Sequence, residues 1–256
     1  MLAYLYFTII GLAAGILVNY LADVLPATRK LVAPICLFCG KEQYLLNYFF
    51  WPRRCEHCGK RRSLRTWVIE VLFIISTLWL GLSGPMQVGF FTGMILLIFF
   101  GLVVIIDLEH RLIMNPVSIV GAVIGLLVGT RLHGLKSTLL GGIAGFCAML
   151  ILYYLGGALM KWLARRRGRV LDEEALGFGD VNLSGILGLI LGWPGILIGL
   201  MLTVLIAGIV SFVYLLFSLV TRRYRFDLAI PYGPFLISSA VALLFFRDFV
   251  LKHLGW

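Results

Sequence analysis

Residues 87–107 read Gln-Val-Gly-Phe-Phe-Thr-Gly-Met-Ile-Leu-Leu-Ile-Phe-Phe-Gly-Leu-Val-Val-Ile-Ile-Asp. Twenty uncharged residues, most of them large and apolar, end on an acid. A helix that crosses the hydrocarbon core of a bilayer needs about 20 mainly apolar residues, so 87–106 reads as a membrane span closed by Asp107. Seven more runs of this kind lie at 3–25, 67–83, 116–132, 137–160, 183–194, 196–220 and 230–246. The run at 183–194 is short and passes into Gly192-Trp193-Pro194-Gly195, which suits a half-length or tilted helix. The first run has no basic segment before it and carries Asn19 and Asp23, so it reads as a retained span and not a signal peptide. The fold class is therefore an all-α polytopic membrane protein of about eight transmembrane helices. It divides into a first helix at 1–25, a loop domain at 26–66 and a membrane-embedded domain at 67–256.

Composition agrees with this reading. Of 256 residues, 61% are hydrophobic and only 13% charged, more apolar surface than one soluble core can hide. The net charge is nevertheless +10, from 22 Lys+Arg against 12 Asp+Glu. The cations sit in clusters between uncharged runs, which orients a membrane protein and does not suggest nucleic acid. With 26–66 placed in the cytoplasm and strict alternation after it, 18 of the 22 cations fall inside: nine in 26–66, Arg111, five in 161–169 and three in 222–225. Arg131, Lys136, Arg247 and Lys252 remain outside. The positive-inside rule favours that orientation, with both termini extracytoplasmic.

The loop domain carries Cys36-Leu-Phe-Cys39 and Cys55-Glu-His-Cys58 with 15 residues between the pairs. Two C-x2-C knuckles at this spacing match a four-thiolate zinc site. Gly40 and Gly59 follow the pairs, as a tight knuckle turn favours. Catalytic zinc usually keeps an open position and a ligand other than Cys, so this site reads as structural. His57 reads as a bystander and Cys147 as a small apolar packer.

Carboxylates at membrane depth are costly and mark function. Asp107 ends the third span, and Asp180 opens the sixth within Gly177-Phe178-Gly179-Asp180. Both fall at the cytoplasmic face. Two Asp residues from different helices at one depth can form a dyad in which one accepts a proton from water and the other protonates a scissile carbonyl. Each also has a plainer reading, Asp107 as a solvated helix end and Asp180 as an N-cap. In the first span Gly11, Gly15, Asn19 and Asp23 recur every four residues and share one helix face. Packing explains the glycines, and Asn19 stays open between packing and a methyl-donor site. Asp172, Glu173 and Glu174 either steer a basic peptide or balance Arg165, Arg166, Arg167 and Arg169.

Several stretches together resemble the bacterial type IV prepilin peptidases, aspartic membrane proteases of the GxGD class. They are Gly15-x-x-x-Asn19 ending Leu25-Pro26; the two cysteine pairs with Ser63-x-Arg65 and Glu70; Asp107 to Ile113; Glu174 to Asp180; and Ile230-Pro231-Tyr232-Gly233-Pro234-Phe235. The resemblance implies a bacterial inner-membrane enzyme. It would cut the basic leader from type IV prepilins and type II secretion pseudopilins on the cytoplasmic side, ahead of an apolar helix. It would also methylate the new N-terminal residue, usually Phe, from S-adenosylmethionine. By the same resemblance Asp107 and Asp180 are catalytic, and Gly177, Gly179, Pro231 and Gly233 support the motif. Cys36, Cys39, Cys55 and Cys58 hold Zn2+, and Asn19, Arg65 and Glu70 are associated with methylation. The chain departs from the family pattern at Val24, at Thr66-Trp67, at Met114 and at Asn182, where Lys is usual. Two other readings stay in view, a cleavage-only GxGD peptidase and a membrane transporter with a zinc-bearing loop. The cysteine loop weighs against the first, and acids at one interface instead of the midplane weigh against the second.

Overall fold

The computed structural model describes residues 1–36, 38–49, 53–83, 87–167, 177–220 and 231–246. Asp172, Glu173, Glu174, Arg169 and the cations at 222–225, 247 and 252 lie outside them. Among the described residues every regular element is a helix: α1 Leu2–Thr28, α2 Leu45–Phe49, α3 Leu64–Ser83, α4 Phe90–His110, α5 Asn115–His133, α6 Leu135–Arg167, α7 Phe178–Leu191, α8 Gly195–Val220 and α9 Gly233–Phe245. Six of these, α1, α3, α4, α5, α6 and α8, are long and apolar enough to cross a membrane; α7 and α9 are shorter apolar helices. The chain is a multi-pass membrane protein. Its helices follow the eight expected spans to within a few residues, apart from the C-terminal end of α6 and the start of α7. The chain forms two compact units, Met1–Ile106 and Asp107–Trp256.

In the first unit α1 packs along α3 through small residues. A Cβ on Gly11 would stand 2.7 Å from Ile74 Cα, and one on Gly15 2.9 Å from Glu70 Cα. The face read from the sequence is thus a helix–helix contact: Gly11, Gly15, Asn19 and Asp23 are all buried. Asn19 Nδ2 donates to Thr66 O across that contact at 3.1 Å, the kind of polar link that suits apolar surroundings.

In the second unit α7 is the central helix. Nine of its fourteen residues are buried, so its short length is supported by protein on most sides. The α5–α6 hairpin turns at Gly134 (φ 80°) and brings α6 against α7 so closely that a Cβ on Gly141 would lie 2.3 Å from Gly188 O. Hydroxyls inside the unit are satisfied within it: Ser184 Oγ donates to Gly145 O at 3.0 Å, and Thr203 Oγ1 and Ser239 Oγ share a 2.7 Å bond. Internal pairing of this kind is what a lipid environment requires. Pro234 lies in the first turn of α9 and Pro231 just before its N-cap Tyr232, so neither proline interrupts the helix.

Candidate functional site

Two sites take shape, one in each unit. In the second, Asp107 sits in the last turn of α4 and Asp180 in the first turn of α7. They are 5% and 9% exposed, and the charge of Asp107 is felt at Asp180. The Gly233 backbone lies against the Asp107 carboxylate, and Asp107 Oδ2 is buried with no hydrogen-bond partner among the described residues. A Cβ on Gly233 would come within 2.5 Å of that oxygen. A Cβ on Gly179 would meet Ile113 Cβ at 2.8 Å, so the motif that begins at Asp107 rests on the motif that ends at Asp180. Gly177 caps α7 in an extended conformation, and the Asp180 amide donates to its carbonyl at 3.1 Å. Tyr232, which the sequence did not single out alone, lies close enough to Asp180 to sense its charge. The chain thus brings together Asp107, Asp180, Gly177, Gly179 and Gly233. An acid pair with an unsatisfied buried oxygen can bind and polarise a water or a carbonyl.

In the first unit the two knuckles fold alike. Cys36 N donates to Lys41 O and Gly40 N to Cys36 O, at 2.9 and 2.8 Å; Cys55 N donates to Lys60 O and Gly59 N to Cys55 O, at 3.0 and 2.8 Å. Gly40 and Gly59 have φ of 69° and 68°, a left-handed turn that glycine adopts without strain. Isolated bridges Ile35–Glu42 and Arg54–Arg61 close the two turns. The four sulfurs lie within 4.8 Å of one another, with Cys36–Cys58 at 3.7 Å and Cys39–Cys55 at 3.6 Å. A tetrahedral ion with metal–sulfur bonds of about 2.3 Å sets its ligands about 3.8 Å apart, so the cluster can hold one metal ion. The Cys58 amide, then that of His57, draws the Cys55 thiol down to about 6. Cys39 rises to about 11, because burial and the adjacent sulfurs outweigh the Lys41 amide that lowers it.

Beside the knuckles runs a buried ionic network that the sequence did not reveal. Asp23 accepts from Arg62, Arg65 and, at 2.6 Å, the Tyr48 hydroxyl. Burial raises the ionisation of Tyr48 well above the ordinary phenol range, so it stays a donor. Arg53 pairs with Glu70 through two 2.9 Å bonds, and the Arg62 guanidinium lies 3.8 Å over the Tyr48 ring. Arg65, Glu70 and Asn19 all belong to this α1–loop–α3 junction. A small cavity of ≈ 50 Å³ opens there, lined by Asp23, Tyr48, Arg62, Ser63 and Thr66 among others.

The profile of the Type IV leader peptidase family matches residues 94–246. The chain belongs to this family. The matched stretch includes both acids and the Pro231–Gly233 motif and begins beyond the cysteine loop. The prepilin leader peptidase/N-methyltransferase of Burkholderia pseudomallei (strain 1026b) is 29% identical over 241 residues, covering 88% of this chain and 71% of that protein. The protein of the same name from Legionella pneumophila is 24% identical over 205 residues, 79% and 67% of the two chains. A type 4 prepilin-like proteins leader peptide-processing enzyme of Escherichia coli O78:H11 is 29% identical over 203 residues, 79% and 69%. No solved structure matches. Membership makes the chain a membrane enzyme of leader-peptide processing and excludes the transporter reading.

Proposed function

We propose that the chain cuts the basic leader from type IV prepilins and type II secretion pseudopilins with Asp107 and Asp180, and then N-methylates the new terminus. The observation that carries the reading is the meeting of two buried acids from different helices beside Gly233. Like charges this close favour one shared proton. The ionised carboxylate accepts a proton from water as the water oxygen attacks the scissile carbonyl carbon. The protonated carboxylate gives its proton to the carbonyl oxygen. Collapse of the tetrahedral intermediate returns that proton and passes the other to the leaving amine, which restores the pair.

The inside-positive orientation puts this chemistry at the cytoplasmic face of a bacterial inner membrane, with 26–66 on the same side and both termini opposite. Domain roles follow that division: 1–25 and 26–66 serve methylation, and 67–256 holds the peptidase. Cys36, Cys39, Cys55 and Cys58 suit Zn2+, which supplies folding energy to a loop with little core of its own. The N-methyltransferase name of the relatives supports S-adenosylmethionine as the cofactor; the cavity beside Asp23, at ≈ 50 Å³, is too small to hold that molecule and marks only the polar junction next to it. That cofactor supplies the methyl group. Asn19 and Arg65 hold Thr66 and Asp23 at this junction, and Glu70 holds Arg53 beside it.

The test is to incubate the purified protein with a prepilin and S-adenosylmethionine and weigh the product by mass spectrometry. Leader loss with one added methyl group is expected, and leader loss alone would leave a cleavage-only peptidase. Asp107→Asn and Asp180→Asn should each lower kcat by at least about 1,000-fold, within the range for general acid–base groups. Cleavage that survives either change would sink the dyad.

A further inference from the structure

Asp180 lies on the most enclosed side of α7. The opposite side carries a stripe left partly open: Phe178, Asn182, Gly185 and Leu189. These positions fall three or four residues apart, so they share one face, about 180° from Asp180. That face is the floor of an open groove of ≈ 600 Å³ walled by α5 and α6. The walls are apolar except at one end, where Asn115, Ser118 and Asn182 line it. This is the end at which α5 and α7 begin, the level of Asp180. Beyond it Phe178, 49% exposed, stands edge-on to Tyr153 with ring centroids 5.9 Å apart. Gly185 on the floor and Gly142 on the α6 wall let the two helices approach closely.

We infer that this α5–α6–α7 groove seats the apolar helix that follows the cut point of the prepilin. The inference rests on the peptidase reading of Asp107 and Asp180 and names where the uncut part of the substrate lies. Two features fit this occupant. The polarity is graded, with the polar end at the depth of the acids and the apolar end deeper. The groove also ends beside exposed Gly177 and Phe178, over which a chain can pass to the other side of α7. A helix is about 10 Å across, and extended chain covers about 3.3 Å per residue. About three extended residues therefore separate the cut bond from the first helical residue in the groove. A protease needs its scissile segment extended, and the crossing over α7 enforces it.

Cys147 lines the groove and is exposed, so it serves as a native probe. The Asp180→Asn protein, which holds its substrate uncut, is oxidised with copper–phenanthroline in bilayers with prepilins that carry single cysteines along the apolar helix. Disulfides to Cys147, mapped by mass spectrometry, should begin about four residues after the cut point, recur at three- and four-residue spacing and vanish with Cys147→Ser. In the otherwise native chain, Ile143→Trp should raise the ratio of KM for full-length prepilin to KM for a short peptide ending after the cut by about tenfold. No disulfide to Cys147, or an unchanged ratio in a folded Ile143→Trp protein, overturns the groove assignment. So does a photoactivatable phospholipid that labels the groove equally with and without prepilin. A native chain that cuts neither substrate would instead defeat the peptidase reading itself.

Discussion

A methyl group on residue 233 would sit 2.5 Å from Asp107 Oδ2, whereas one on residue 177 would sit 3.6 Å from Asp180 Oδ2. The two motif glycines are therefore not equivalent. Gly233→Ala must push the carboxylate aside by about 1 Å, and misplacement on that scale costs about 100-fold in rate; kcat for leader removal should fall by that factor. Gly177→Ala makes only an ordinary contact, and φ of −76° suits alanine. Its thermal midpoint should stay within about 2 °C of the parent. If Gly177→Ala is folded but inactive, the substrate backbone passes directly over residue 177. Asp23 shows how little of such detail is local. Its partners Tyr48, Arg62 and Arg65 lie 25, 39 and 42 residues away, and no periodicity links them. Removing one partner of a buried pair costs about 3–5 kcal/mol. Asp23→Ala should therefore lower the denaturation midpoint of the first unit clearly, as read by hydrogen exchange at 36–61.

At the scale of elements, the sequence shows what hydropathy and spacing encode. The spans were legible because lipid demands long apolar runs, and the knuckles because C-x2-C-G sets both the ligands and the turn. Helix ends were less legible. Pro26 reads as a stop, yet α1 runs to Thr28, whose hydroxyl donates to Val24 O at 2.9 Å within the proline-disturbed turn. Asp107 reads as the close of its span, yet α4 continues to His110. The pairing of Asp107 with Asp180 followed only from depth and resemblance, and the α5–α6–α7 groove from neither, because it depends on how three helices splay. The knuckles carry their own prediction. Thiols must lose protons to bind a metal, and Cys39 and Cys58 are raised above the ordinary thiol range. Metal binding therefore releases protons, and affinity falls as pH falls. Between pH 8 and 6 the apparent affinity for Zn2+ should drop by roughly tenfold or more per pH unit, measurable by competition with a chromogenic chelator. A pH-independent affinity would mean that the four sulfurs are not the ligands.

At the scale of the whole molecule, the eight apolar helices raise a question of length. At 1.5 Å per residue, α7 with 14 residues and α9 with 13 reach only about 20 Å, short of a hydrocarbon core of about 30 Å. A short helix facing lipid would thin the bilayer or tilt, but α7 is enclosed by protein on most sides, and eight of the thirteen residues of α9 are buried. Neither needs to match the lipid, so each can complete a pass with help from its flanking turns. If all eight cross, the even number would put the two termini on one side, and the positive-inside rule applied to 18 of 22 cations predicts that this side is extracytoplasmic. The expectation is checked with single cysteines added at the two ends and at position 30 in a chain whose native cysteines are masked. A membrane-impermeant thiol reagent applied to intact spheroplasts should label both ends and spare position 30 until the membrane is opened. Labelling of one end only would mean that α7 or α9 enters and leaves by the same face.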